Sequence, residues 1–264
     1  DPEPASLMTT DEALALPRPE PDHRLAYGAG ELNVGELRLP TGTGPFPVVM
    51  MIQGGCWMAE YDLGYLSSLA ARLTETGFAT WSVEYRRVGN GGGWPVSKDD
   101  VVAGALAAAE RSAAESIVLI GHSAGGQLTL EAASELGSDT TAVSMGGVND
   151  MVLAVDEHLG DGAALEYLGD ANPEAACPTR HPPPGPVLIA HGTDDDRVPF
   201  AHAGQAGDSR NQWRSYHRIL EPGHVLLRQA PVATRPQAPD PCRVAGDEGL
   251  REDHQFGTLA RRFR

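Results

Sequence analysis

A serine between two glycines is the residue whose setting points most directly to chemistry. Ser123 lies in G-H-S-A-G at residues 121–125, after an apolar run at 116–120 and before a helical pattern over Ala124–Leu136. The glycines allow a sharp turn in which the serine takes strained dihedrals and its hydroxyl rises above the end of a strand. The helix start that follows favours negative charge. The bare motif could arise by chance among 31 glycines, but strand, motif and helix in succession predict a nucleophilic serine.

A serine hydroxyl is a weak nucleophile, so it needs a base that is oriented by an acid. In this strand-turn-helix setting the acid and then the base follow the serine in chain order. An apolar run at 187–190 leads into the acidic turn Asp194, Asp195 and Asp196, and an apolar pattern at 213–220 leads into His224. We therefore predict that one of these aspartates is the acid and that His224 is the base. A merely solvated turn is the alternative for the three aspartates.

A glycine pair follows the apolar run at 48–52, in the segment Q-G-G-C-W at residues 53–57. Residues without side chains let the backbone approach a substrate, and backbone N–H groups can stabilise the charge that develops on an attacked carbonyl oxygen. The segment occupies the position of the HGGG-type loop that precedes such a serine motif. It therefore predicts an oxyanion hole, with an ordinary glycine turn as the alternative.

Metal chemistry is disfavoured because the nine histidines contain neither an H-x-x-x-H pair nor H-E-x-x-H. The three cysteines are far apart and form no C-x-x-C knuckle. We therefore expect neither a metal nor a cofactor. Trp57 and Trp94 are candidates for binding the substrate, with core packing as the alternative. His122 and His191 are expected to be structural.

Strand and helix patterns alternate along the chain, which predicts an α/β fold: a mostly parallel sheet with helices on both faces. Residues 1–31 are rich in proline and acidic side chains and predict an irregular leader. A single domain is expected over 32–264, and the stretch 148–186 is the candidate for a small cap. The predicted strands are 35–39, 48–53, 78–84, 116–121, 142–145 and 187–191, and the predicted helices are 63–76, 98–114 and 124–136.

Composition limits the classes of molecule that the protein is expected to bind. The 264 residues are 41% hydrophobic and 21% charged, as in folded globular proteins, and their net charge of −16 repels nucleic acid and anionic lipid. No window approaches the 18 or so continuous apolar residues that a membrane span requires. We expect a cytoplasmic protein with a small-molecule substrate, and secretion after removal of a signal peptide is the alternative. The sequence leaves the oligomeric state open.

These motifs resemble those of α/β-hydrolase-fold carboxylesterases, in the bacterial lipase and feruloyl-esterase-like group related to kynurenine formamidases. The resemblance covers roughly residues 32–224. It rests on the segments G-G-C-W at 54–57, V-E-Y-R-R at 83–87, G-G-G-W-P at 91–95, G-H-S-A-G-G at 121–126 and H-G-T-D-D-D-R-V-P at 191–199.

The resemblance implies the role of each site residue. Ser123 would be the nucleophile, and Asp195, at the fifth position of the 191–199 segment, would be the acid. His224 would be the base, and the oxyanion donors would be the N–H groups of Gly55, Cys56 and Ala124.

Two features depart from the family pattern. Gln53 stands where the family usually has histidine, and residues 225–264 hold seven arginines and four prolines in place of a final amphipathic helix. The activity implied is hydrolysis of carboxylic esters with small or medium acyl groups. The alternatives are an arylformamidase or amidase, and a non-catalytic binding protein that retains the fold.

Overall fold

The computed structural model describes residues 12, 15–112, 116–203 and 214–215. In this part of the chain, eight strands form one sheet in the order β1-β2-β4-β3-β5-β6-β7-β8. The first two pairings, β1 with β2 and β2 with β4, are antiparallel, and all the others are parallel. The strands are β1 (His23–Ala26), β2 (Val34–Arg38), β3 (Val48–Ile52), β4 (Ala79–Val83), β5 (Ile117–His122), β6 (Thr140–Met145), β7 (Val187–Ala190) and β8 (Arg214–Ser215).

Five α-helices connect the strands within the described residues. They are α1 (Ser67–Glu75), α2 (Val96–Ser112), α3 (Ala124–Leu136), α4 (Met151–Asp156) and α5 (Ala163–Leu168). Short 3₁₀ helices occur at Leu63–Leu66, Pro173–Ala176 and Phe200–Ala203. The predicted α/β fold class is confirmed.

Strand β3 shows why the apolar runs are continuous. All five of its residues are buried. Successive side chains of a strand point to opposite faces, so Met50 and Ile52 join the core cluster that includes α2 and α3, whereas Val49 and Met51 join the cluster that includes α1. A strand covered by helices on both faces needs no polar alternation.

The predicted strands and helices lie within two residues of the observed bounds, with two differences. The predicted helix 63–76 begins as the 3₁₀ helix Leu63–Leu66 and continues as α1. The expectation of an irregular leader was wrong at His23–Ala26, because these residues form β1 against β2. The residues of β1 alternate between half-buried and exposed, as befits a polar strand at the edge of the sheet.

The stretch 148–186 connects β6 to β7 and contains α4, α5 and the 3₁₀ helix Pro173–Ala176. Its role as a cap stays a prediction, as does the single domain over 32–264. In the part of the chain that the structure describes, no helix combines the length and the apolar character needed to cross a membrane.

Candidate active site

Ser123 occupies a strained turn between β5 and α3. Its φ of 54° and ψ of −121° are outside the conformations that residues with a Cβ ordinarily adopt. Such a conformation costs on the order of 1–3 kcal/mol and persists only where the surroundings enforce it. Here the Ser123 N–H donates to the carbonyl of Met145 at 2.9 Å, and the Ser123 carbonyl accepts from the N–H of Gly126 at 2.9 Å. The turn is thus fixed from β6 and from the helix that it starts.

The start of α3 presses against the end of β3. A methyl group at Gly125 would lie 2.3 Å from the carbonyl oxygen of Ile52, closer than any real contact. Because glycine is required for this approach, the second glycine of the motif brings the serine turn against the segment that follows β3. Strands β3 and β5 are neighbours, and their carboxyl ends therefore form one crevice at the centre of the sheet.

The segment after β3 passes directly over the nucleophile. A methyl group at Gly54 would lie 2.9 Å from the Ser123 Cβ and 2.6 Å from the carbonyl oxygen of His122. The next three residues, Gly55, Cys56 and Trp57, all have positive φ, at 98°, 53° and 58°. We call residues 53–57 the oxyanion loop. Its backbone lies where donors for an oxyanion would have to be.

The three predicted oxyanion donors are brought to the same end of the sheet. Ala124 is the first residue of α3, and Gly55 and Cys56 follow β3. Within the described residues, no protein acceptor takes a hydrogen bond from the backbone N–H of these three residues. These N–H groups are therefore available to a ligand at the serine.

Of the three aspartates in the acidic turn, Asp195 is the one that backbone N–H groups hold among the described residues. Its Oδ1 accepts from the backbone N–H groups of Arg197 and Val198 at 3.0 and 2.9 Å. Asp195 is half-buried, whereas Asp194 and Asp196 are exposed. This arrangement agrees with the choice of Asp195 that the family resemblance implies.

The other carboxylate oxygen of Asp195, Oδ2, lies close to Gly146 and His122, next to the serine turn. A methyl group at Gly146 would lie 3.3 Å from Asp195 Oδ2 and 3.8 Å from His122 Nε2. His191 Nε2 lies 3.6 Å from the same Oδ2 and 2.8 Å from the carbonyl of Val198. Because a carbonyl only accepts, Nε2 of His191 carries a proton. His191 therefore supports the acidic turn, as the sequence predicts.

His122 is held by an aromatic side chain that sequence reasoning missed. The Tyr65 hydroxyl lies 2.9 Å from His122 Nδ1, and the two rings stack with centroids 5.6 Å apart. Burial lowers the pKa of His122, and the nearby Asp195 carboxylate opposes that shift. The lowered pKa favours the neutral imidazole. Tyr65 and His122 are 57 residues apart in sequence, so no local pattern could indicate their contact.

Gln53, which replaces the usual histidine, is buried and bonded at both its side chain and its main chain. Its Nε2 donates to Glu84 Oε1 at 3.0 Å, and its carbonyl accepts from the Tyr85 hydroxyl at 2.9 Å. Glu84 also pairs with Arg87. All three of these partners belong to the segment V-E-Y-R-R on which the family resemblance partly rests.

The two tryptophans proposed for substrate binding lie in different surroundings. Trp57 is 1% exposed, stacks on Tyr167 at 4.7 Å between ring centroids, and donates to Gln127 Oε1 at 3.0 Å. Trp94 donates to Glu131 Oε1 at 3.0 Å beside a cavity of about 220 Å³. Glu131 is eight residues along α3 from the serine, about 12 Å at 1.5 Å per residue. A role in substrate binding stays a prediction for both tryptophans.

Glu131 itself has an unusual environment that the sequence did not indicate. Burial raises its pKa to about 8, although Trp94 and Gln127 both donate hydrogen bonds to it. The cavity beside it is also lined by Lys98, Ser134, Glu135, Ala175, Cys177 and His181.

The predicted base, His224, lies outside the described residues, as do the tail 225–264 and Cys242. Among the described residues, no group of three or more His, Cys, Asp or Glu side chains could hold a metal ion.

Comparison with known proteins agrees with this architecture. The model of the BD-FAE family, an esterase family of the α/β-hydrolase fold, matches residues 36–155, a little under half of the chain. This stretch contains the oxyanion loop and the serine turn. No curated protein sequence matches the chain.

Solved esterase structures share the fold. Esterase B from Lactobacillus rhamnosis has a TM-score of 0.61 at 18% identity, covering 74% of this chain and 72% of that one. Esterase 2 from Thermogutta terrifontis, phosphonylated by sarin, has a TM-score of 0.57 at 20% identity, covering 69% and 77%. The HSL homologue EstE7 from a metagenome library has a TM-score of 0.56 at 19% identity, covering 74% of each chain. These structures show that the chain shares the α/β-hydrolase fold, and the family match over residues 36–155 agrees with the resemblance seen in the sequence.

Proposed function

We propose that the protein is a serine esterase that cleaves carboxylic esters of small or medium acyl groups through an acyl-enzyme. The observation that carries this proposal is the geometry at Ser123. A residue with a Cβ is held at φ 54° at the start of a helix, next to a loop in which the N–H groups of Gly55 and Cys56 have no acceptor among the described residues. Strain of this kind persists where it serves a function.

The proposed reaction begins with proton transfer from the Ser123 hydroxyl to His224. The serine oxygen attacks the ester carbonyl, and the N–H groups of Gly55, Cys56 and Ala124 stabilise the oxyanion that forms. Asp195 orients His224 and stabilises its protonated form. His224 then gives the proton to the leaving alcohol, and the acyl group stays on Ser123.

The second half of the reaction repeats this chemistry with water. His224 takes a proton from a water molecule, the hydroxide attacks the acyl-enzyme, and the same N–H groups stabilise the second oxyanion. Collapse of this intermediate releases the carboxylic acid and returns the proton to Ser123. The cycle needs only groups of the protein and water.

Labelling with a fluorophosphonate probe tests the proposal. Such probes form a covalent bond with an activated serine, and the Thermogutta terrifontis neighbour is phosphonylated by the related compound sarin. We expect stoichiometric labelling of the wild-type protein and none of Ser123→Ala. The matched control is Ser68→Ala on α1, whose hydroxyl donates only to the carbonyl of Pro17 among the described groups and which should label normally.

Turnover completes the test. With p-nitrophenyl acetate or butyrate, Ser123→Ala should lower kcat on the order of 10⁴-fold or more, because the triad acts as a unit. Faster hydrolysis of N-formylkynurenine than of these esters would favour the arylformamidase alternative. No labelling of the wild-type protein would favour the non-catalytic binding protein.

A further inference from the structure

We propose that Glu84 is a positioning residue that fixes both the oxyanion loop and the 3₁₀ helix Leu63–Leu66, which carries Tyr65. The inference rests on the proposed serine-esterase function, because that function requires the geometry of the oxyanion loop that Glu84 would hold in place. Glu84 is 4% exposed and follows β4, the strand next to β3. Among the described residues, no hydrogen bond or ion pair joins Glu84 to Ser123, so its effect must act through other residues.

One oxygen of the Glu84 carboxylate reaches the oxyanion loop. Oε1 accepts from Gln53 Nε2 at 3.0 Å, and this residue starts the loop. The neighbouring Tyr85 donates its hydroxyl to the Gln53 carbonyl at 2.9 Å. The residue that begins the loop is thus held at its side chain by Glu84 and at its main chain by Tyr85.

The other oxygen reaches the 3₁₀ helix that carries Tyr65. Oε2 accepts from the backbone N–H of Leu63 at 3.2 Å, at the first residue of the 3₁₀ helix Leu63–Leu66. This helix carries Tyr65, whose hydroxyl contacts His122 beside the nucleophile. A single carboxylate therefore contacts two segments near the serine turn: the oxyanion loop, whose Gly54 approaches Ser123, and the 3₁₀ helix, whose Tyr65 contacts His122.

A buried counter-charge pairs with that carboxylate. Arg87 is 2% exposed and pairs with Glu84 Oε1. Its Nη1 also donates to the carbonyl of Tyr85 at 2.9 Å, and its guanidinium lies 5.2 Å from the centre of the Tyr85 ring. A charged acceptor makes stronger and shorter hydrogen bonds than a neutral one. The ion pair therefore gives Gln53 and Leu63 a firmer anchor than a neutral side chain would.

The oxyanion loop needs such an anchor because of its backbone. Three successive residues have positive φ, and two of them, Cys56 and Trp57, carry side chains. Conformations of this kind relax when the contacts around them are removed. Loss of the Glu84 carboxylate should therefore turn the N–H groups of the loop away from the oxyanion, which lowers kcat and leaves substrate binding largely unchanged.

The experiment measures kcat per active site for Glu84→Gln, with active sites counted by phosphonate titration. The amide keeps the size of the side chain but supplies only one acceptor oxygen. We expect kcat to fall about 10- to 100-fold with KM within about threefold of wild type, the signature of an interaction made in the transition state. Titration removes the effect of molecules that fail to fold.

Asp100→Asn is the matched control. Asp100 is also 4% exposed, and its carboxylate accepts hydrogen bonds from Arg86, the neighbour of Arg87. Among the described groups, it contacts no residue of the oxyanion loop. It should lower thermal stability and leave kcat per titrated site unchanged. A purely structural role of Glu84 would give the same result as this control, and that outcome would overturn the proposal.

A double-mutant cycle with Gln53→Ala tests the route of the effect. If Glu84 acts through Gln53, kcat of the double variant should be no more than about threefold lower than kcat of the less active single variant. Full multiplication of the two losses would overturn this route. Should Glu84→Gln not fold, Gln53→Ala alone decides, because it leaves the Glu84 and Arg87 pair intact, and an unchanged kcat would refute the inference.

These outcomes are distinct from failure of the proposed function. If the wild-type protein does not react with the phosphonate, the serine-esterase proposal fails. If it reacts and turns over esters while Glu84→Gln behaves as Asp100→Asn does, only the inference about Glu84 fails.

Discussion

Gly54→Ala isolates the contribution of the oxyanion loop from that of the nucleophile. The added methyl group would lie 2.6 Å from the carbonyl oxygen of His122 and 2.9 Å from the Ser123 Cβ, where ordinary contacts begin at 3.4 Å. Both neighbours belong to the serine turn, so the loop has to move away from it by about 0.5–0.8 Å. Gly54 does not have a positive φ, so the substitution acts through this displacement and not through backbone strain.

The displacement sets the expected loss of activity. A misplacement of about 1 Å costs roughly 10²-fold in rate, and removal of one oxyanion donor costs about 10²- to 10³-fold in kcat. We therefore expect Gly54→Ala to lower kcat for p-nitrophenyl acetate about 30- to 100-fold. Phosphonate labelling of Ser123 should persist at a reduced rate, because the nucleophile itself is unchanged.

Gly104→Ala in α2 serves as the steric control. Its added methyl group would lie 2.9 Å from Val83 Cγ1, an approach as close as that of Gly54 to the Ser123 Cβ. It should change the melting temperature and leave kcat per titrated site unaffected. Wild-type kcat in Gly54→Ala, with folding confirmed by circular dichroism, would refute the placement of the oxyanion loop over the serine.

Three further predictions concern the predicted base His224, Gln53 of the oxyanion loop and the carboxyl group of Glu131. Alanine substitution of His224 should abolish esterase turnover, whereas alanine at His217 or His254 should not. An inactive variant at either of these two positions, together with an active His224 variant, would reassign the base. Gln53→His should keep kcat within about threefold of wild type, because an imidazole N–H can still donate to the Glu84 carboxylate that the Gln53 amide contacts. A 10-fold or greater loss of kcat would contradict this. For Glu131, burial raises the pKa from 4.5 to about 8. The contribution of this carboxyl group to the free energy of unfolding is therefore fully present below the unfolded pKa near 4.5. It is lost as the pH rises through about 8. Glu131→Gln should remove about 2 to 5 kcal/mol of this pH dependence, measurable by urea unfolding between pH 5 and 9, and an identical pH profile in the two proteins would show that the carboxyl is not desolvated.

The central strands and the serine turn could be predicted because their signals are local. A buried strand such as β3 reads as an uninterrupted apolar run, and the glycines around Ser123 are required by the turn itself. The edge strand β1 has neither signal. Its four residues are H-R-L-A, and only pairing with β2 makes them a strand.

The supporting contacts of the site could not be predicted because they join distant parts of the chain. Glu84 is 31 residues from Gln53, and Tyr65 is 57 residues from His122. Such pairs meet only because β4 lies beside β3, and β3 beside β5. The choice of Asp195 among three adjacent aspartates likewise needed the family pattern, since only the folded turn distinguishes one half-buried carboxylate from two exposed ones.

The stacking of Tyr167 on Trp57 bears on how this protein could be diversified. Tyr167 belongs to α5 in the stretch between β6 and β7, and Trp57 ends the oxyanion loop. An insertion that merely lay on the surface could be exchanged between homologues as a module. Here the exchanged segment would also have to bring a flat aromatic partner for the indole, or the core beneath the loop would be left with a cavity. Residues 57 and 167 should therefore change together in recombined or evolved variants, and grafted segments should be selected first for the side chain at position 167.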